Sequence, residues 1–142
     1  MPHASAFFDT SAFPIVAMRY PDADAVFRWC READALLAHD RAFVLLECGR
    51  PAVPASEPGL RAWLRLRRMR LNACCKGLMV VEPDISQRLT ARARAELLFG
   101  HAGVRALVIS REGLVGELAP ILLSQSAAVA SSDIRRQRTR RN

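Results

Sequence analysis

Three short apolar runs, "AFVLLEC" at 42–48, "GLMVV" at 77–81 and "VRALVIS" at 104–110, restrict what this chain can fold into more than any other feature. Each is bounded by charge, glycine or proline, and none has the strict alternation of a strand with one wet face. Such runs belong to strands covered on both sides. The segments between them have helical period, and parallel neighbours in a sheet need a crossover of that kind. The alternation predicts an α/β layer structure with a mostly parallel sheet.

The helices can be placed from their own signals. "PDADAVFRWCREADALLAHD" opens with proline and aspartates and sets Val26, Trp29 or Cys30, Ala33 and Leu36 or Leu37 at helical spacing, predicting a helix over about 22–39. A second helix, over about 57–74, takes Ser56 as its N-cap, Pro58 in its first turn and Gly77 as its stop. A third covers "DISQRLTARARAELLFG", with Asp84 or Ser86 near its start and Gly100 as its stop. "REGLVGELAPILLSQS" gives a fourth, bent or ended near Pro120. Ahead of them, "FFDTSAFPIVAMRYP" reads as a hairpin or a strand with an irregular lead-in. The expectation is one domain over 7–124, with an N-terminal strand or hairpin and about four helices. It is flanked by a flexible N-terminus at 1–6 and a disordered Arg-rich tail at 125–142.

With 142 residues, about half of them hydrophobic, the chain can build one proper core and not two. No apolar run approaches the roughly 20 residues that cross a bilayer, and the start lacks the basic-then-apolar order of a secretion signal. A cytoplasmic location is the expectation. Cys30, Cys48, Cys74 and Cys75 contain no Cys-x-x-Cys, and His3, His39 and His101 lack metal-ligand spacing. Four reduced thiols are expected, with neither metal nor cofactor.

The formal charge of +7 concentrates at one end. "RRQRTRR" supplies Arg135, Arg136, Arg138, Arg140 and Arg141, and without them sixteen basic side chains face fourteen acidic ones. That tail is a candidate for phosphate-backbone contacts with nucleic acid, although no aromatic side chain interleaves with it for base stacking. The other basic concentration is "RLRRMRLNACCKG" at 65–77. On a helical projection Arg61, Arg65, Arg68 and Asn72 share one stripe, beside an apolar stripe of Leu60, Leu64 and Leu71. Arg67 and Arg70 fall at the edges of the apolar surface. Arg61, Arg65, Arg67, Arg68 and Arg70 are the candidate partner-binding residues.

Cys74 and Cys75 sit beside Lys76 and the arginines, as an activated thiol would. They also fall at the C-terminal end of a helix, where the dipole disfavours a thiolate, so packing is the expected role. A phosphate cradle needs glycines opening onto a helix N-terminus, and "CCKG" runs from helix to strand. Ser56 at a helix mouth is a candidate phosphoacceptor, because phosphate there would meet the dipole and free N–H groups. No catalytic constellation emerges.

This element order resembles that of the STAS superfamily, the small α/β domains that include anti-sigma-factor antagonists and a wider CRAL-TRIO-like group. The likeness covers roughly residues 7–124. It rests also on a local pattern of bacterial members: an arginine and a tryptophan on the helix after the central strand, then a cysteine and a glycine leading into the next strand. Here these are Arg61 and Trp63, then Cys74 or Cys75 with Gly77 ahead of "LMVV", with Arg88 in the following helix. The classical antagonists carry an Asp-Ser-Ser-Gly-like turn with a phosphorylatable serine at that helix mouth, where this chain has "CGRPAVPASEPG". The resemblance therefore implies a non-enzymatic regulatory domain that binds a protein partner, without the serine switch. A small-molecule or lipid ligand in a cleft beside the sheet is the alternative the wider group implies. A nucleic-acid accessory role through the tail is a further one.

Overall fold

The structure, a computed structural model, describes residues 7–54 and 56–124; the N-terminus at 1–6 and the tail at 125–142, expected to be flexible, lie outside the described residues. Five strands form one sheet in the order β1 (Phe8–Asp9), β2 (Ile15–Arg19), β3 (Phe43–Cys48), β4 (Cys75–Val81) and β5 (Ala106–Ile109). β1 returns antiparallel on β2, closing the expected hairpin, and the other three pairings are parallel. The fold is the α/β layer structure that the apolar runs predict.

Strands consecutive in sequence are also neighbours in space, so every crossover steps in the same direction. Right-handed crossovers taken one way leave all their helices on one face of the sheet. Accordingly α1 (Val26–Ala38), α2 (Pro58–Leu66), α3 (Arg68–Cys74) and α4 (Arg88–Phe99) share a single core with Val16, Met18, Phe43, Leu45, Leu78 and Val80. The alternate residues Val44, Met79 and Ile109 face the other way and pack under α5 (residues 115–124) through Val115 and Ala119. One ten-residue helix spans about two strands' width, since a helix is about 10 Å across and strands lie about 4.8 Å apart. Ile15, Leu46 and Leu107 on this face are consequently only half-buried.

The centre of the larger core is aromatic. Trp29 is fully buried, its ring 5.3 Å from that of Phe8 and 5.3 Å from that of Trp63, the latter edge-on. Both indoles place their N–H on acceptors, Trp29 on the Arg19 carbonyl at 3.1 Å and Trp63 on the Asp34 carboxylate at 2.9 Å. These bonds let polar N–H groups enter an apolar core without a desolvation penalty.

Several helix ends differ from expectation. The second helix is divided at Arg67, which makes five α-helices among the described residues where about four are predicted. It ends at Cys74, and Gly77 lies inside β4, where the register slips so that Phe43 faces Cys75 while Leu45 faces Leu78. Glycine serves there because a Cβ would stand 3.2 Å from Leu122 of α5. α4 gives way at Gly100 to a 3-10 turn, and the left-handed residue is Gly103, at φ 77°. A side chain at Gly103 would meet the Asn72 amide at 2.4 Å. α5 continues through Pro120; the bond that proline forfeits is to the carbonyl of Gly116, a position with open space around it.

Candidate functional site

α2 begins where Glu57, extended at φ −55° and ψ 124°, turns its carboxylate back to accept from the Leu60 N–H at 2.6 Å. Glu57 is therefore the N-cap, in place of Ser56. Pro58 follows, its fixed φ suited to the first helical position and its preceding residue held extended. Ser56 sits exposed in the turn ahead of the helix. A phosphate on it would meet the carboxylate that already occupies the helix mouth, which weakens its case as a phosphoacceptor.

Along α2, Leu60, Trp63 and Leu64 are buried while Arg61 and Arg65 point to solvent. At Arg67 the backbone leaves the helical region, φ −102° and ψ 9°, and the helix resumes as α3. At this interruption the Arg67 side chain is held by Asp34 on α1. The carboxylate accepts from Arg67 Nε at 2.9 Å and from the second guanidinium nitrogen at 3.4 Å, besides the Trp63 indole. Arg70 also turns to α1, donating to the Leu37 carbonyl at 3.2 Å and lying 3.7 Å from Asp40. The five arginines expected to bind a partner thus divide. Arg67 and Arg70 brace α1, and Arg61, Arg65 and Arg68 remain in solvent.

Those three line one wall of a groove of about 200 Å³. Its floor is Leu64 and Leu98, both buried, and its far wall is Leu97 and His101, from α4 and the 3-10 turn after it. Leu97 is 61% exposed, a large apolar side chain left in water beside three guanidinium groups. Among the described residues no carboxylate pairs with Arg61, Arg65 or Arg68, whereas Arg67, Arg70, Arg92 and Arg94 each have one. Helix projection found the ridge but not Leu97 or His101. Their place opposite it depends on how α4 packs, which no local pattern encodes.

A second polar cluster lies at the C-terminal ends of β2 and β3. Glu47, its side chain 4% exposed, accepts from Arg94 of α4 at 2.9 Å and from the Tyr20 hydroxyl. Burial, and then the Glu47 charge, hold the Tyr20 phenol far above its ordinary range. Arg88, part of the family-like pattern, donates from Nε to the Glu82 carbonyl at 3.1 Å and fixes the entry to α4.

All four cysteines are free thiols. Cys74 and Cys75 are buried, and burial pushes the Cys75 thiol up to about 12. Cys30 is raised to about 11, first by burial and then by the nearby Asp34 and Glu57 charges. Cys48 is raised as well, with burial again the leading cause. Thiols so shifted are poor nucleophiles at neutral pH. Among the described residues no group of three or more His, Cys, Asp or Glu side chains is placed to hold a metal ion, and no helix is long and apolar enough to cross a membrane. The tail arginines, Arg135 to Arg141, lie outside the described residues. Comparisons with protein-family models, with curated proteins and with solved structures returned no match.

Proposed function

We propose that this chain is a STAS-like, non-enzymatic regulatory domain that binds another protein through the groove between α2–α3 and α4. The observation that carries the reading is the unneutralised row Arg61, Arg65 and Arg68 above an apolar floor. Arg67, Arg92 and Arg94, by contrast, are met by the chain's own carboxylates. Charge left unpaired beside exposed Leu97 is the composition of an interface, with apolar contact inside and charge at the rim. The raised thiols support a role other than cysteine chemistry. A small ligand in this groove is less well supported, since drug-sized pockets run to about 300–1,000 Å³ and close over their ligand, while the groove is about 200 Å³.

Affinity capture with wild type and with Arg61→Ala/Arg65→Ala/Arg68→Ala tests the proposal. Exposed substitutions change stability by under about 0.5 kcal/mol each, so the variant should melt near wild type. A protein held by wild type and released by the variant at matched stability is the expected result. Retention of every captured protein by a folded variant would remove the groove from the functional account.

A further inference from the structure

Resting on the reading of this groove as a protein-binding surface, we infer that its occupant is an acidic amphipathic helix of at least about three turns, laid along α2–α3. The first ground is the chemistry of the walls. Leu64 and Leu98 in the floor and Leu97 opposite the arginines offer aliphatic contact, so the ligand must present an apolar stripe and a negative one together. An inorganic anion has no use for the leucines. Nucleic acid is ill suited too, because among the described residues the groove's single ring is the His101 imidazole and its floor is aliphatic, with no platform for successive bases.

The second ground is spacing. Arg61, Arg65 and Arg68 stand at i, i+4 and i+7 on a backbone whose hydrogen bonds resume directly beyond Arg67, with the Leu71 N–H on the Arg67 carbonyl at 2.8 Å. At about 1.5 Å per residue they spread over about 10 Å, one helical turn between neighbours. A single phosphate or carboxylate head group cannot bridge that span. Carboxylates one turn apart on a helix lying alongside can meet all three, each at the rim, while leucine-type side chains at i, i+3, i+4 and i+7 enter between Leu64 and Leu97. An extended strand repeats its side chains every two residues, about 6.8 Å, and falls out of step with the row.

Third is the contrast in charge along the same surface. Arg92, one turn and more before Leu97, is held by Glu96 at 3.0 Å, and Arg94 by Glu47 at 2.9 Å. The arginines that line the groove all stand on the α2–α3 wall, without a carboxylate partner among the described residues. An occupant with acid on one edge and apolar side chains on the other has one favoured orientation in such a groove, and a basic peptide is repelled from it.

The test is selection from a displayed library of helix-biased peptides on the full chain, with counter-selection on Arg61→Glu/Arg65→Glu/Arg68→Glu. Enriched peptides should carry Asp or Glu at one-turn spacing beside an apolar stripe. Synthesised and titrated, they should lose about tenfold or more in affinity against the triple variant. Leu97→Ser, an exposed change, should weaken binding several-fold while leaving its salt dependence unaltered. Enriched peptides with no acidic ladder, or binding indifferent to both variants, would overturn the inference. Capture of a cellular protein that needs the three arginines, alongside acidic helical peptides that do not bind, would overturn it while the protein-binding reading stands. Arginine-dependent stabilisation by inorganic phosphate or decanoate, with no peptide or protein bound, would overturn both.

Discussion

Cys75 opens β4 with its side chain in the main core, its Sγ 3.5 Å from the Gly77 carbonyl. Lys76 beside it favours a thiolate, but burial is the larger effect and the thiol is pushed up to about 12. Relative to a free thiol of about 8.5, that leaves about a thousandfold less thiolate at neutral pH. Alkylation of Cys75 in the folded protein should therefore be slower than that of a cysteine peptide by at least this factor, as peptide mapping after timed labelling can show. Labelling at the peptide's rate would revive a catalytic role. The same shift has a stability consequence. Because the unfolded chain releases this proton at lower pH than the folded one, the contribution is complete below about pH 9 and is lost as pH rises toward 12. Denaturation midpoints should fall across that window, and Cys75→Ala should flatten the slope whatever it does to the absolute level.

Where two helices meet, α1 and the α2–α3 pair are joined by Asp34, which receives both Arg67 and the Trp63 indole. Burial raises the Asp34 carboxyl, but the two hydrogen bonds and the Arg67 charge outweigh it, and the net shift is downward. A carboxyl so lowered contributes stability above its ordinary range and loses it as pH falls through the folded value. Asp34→Asn should thus be less stable than wild type at pH 6, with the difference closing as pH drops below about 4, measured by urea melts at both ends. A constant gap would mean that packing, not ionisation, sets the effect. This junction also shows what could and could not be read from the sequence. The α1 stripe of Val26, Trp29, Ala33, Leu36 and Leu37 was legible because one period of 3.6 encodes one buried face. The break at Arg67 was not, and neither was the partner its side chain finds there, Asp34, 33 residues away on another helix. Ser56 is the cap that intrinsic preference favours, yet Pro58 holds Glu57 extended and lets its longer side chain reach Leu60. Half of the groove was legible for the same reason. Its arginine wall follows from one helix's projection, while Leu97 and His101 come from tertiary packing.

At the scale of the molecule, four parallel strands taken in sequence put four helices on one side, and among the described residues only α5 packs on the other. Such a layer depends on each helix being tied to the sheet it crosses, and apolar packing alone leaves sliding open. Trp29 pins α1 through the Arg19 carbonyl at the end of β2. For α4 the tie is electrostatic: Arg94 reaches Glu47 at the end of β3, and Tyr20, just past β2, reaches the same carboxylate. Two parts of the sheet's C-terminal rim are thereby joined to one helix, and the position of α4 sets the far wall of the groove through Leu97. Removing one partner of a buried pair strands the other in low dielectric, at a cost of about 3–5 kcal/mol, whereas replacing both costs much less. Arg94→Met should lower unfolding free energy by about that amount, and Glu47→Gln/Arg94→Met should recover a substantial part of it, with Tyr20 still able to donate to the amide oxygen. Equilibrium urea unfolding of the wild type, both single variants and the double closes the cycle. If Arg94→Met costs under about 1 kcal/mol, the pair does not hold α4, and the groove's geometry must be set by the packing of Ala91, Ala95 and Leu98 instead.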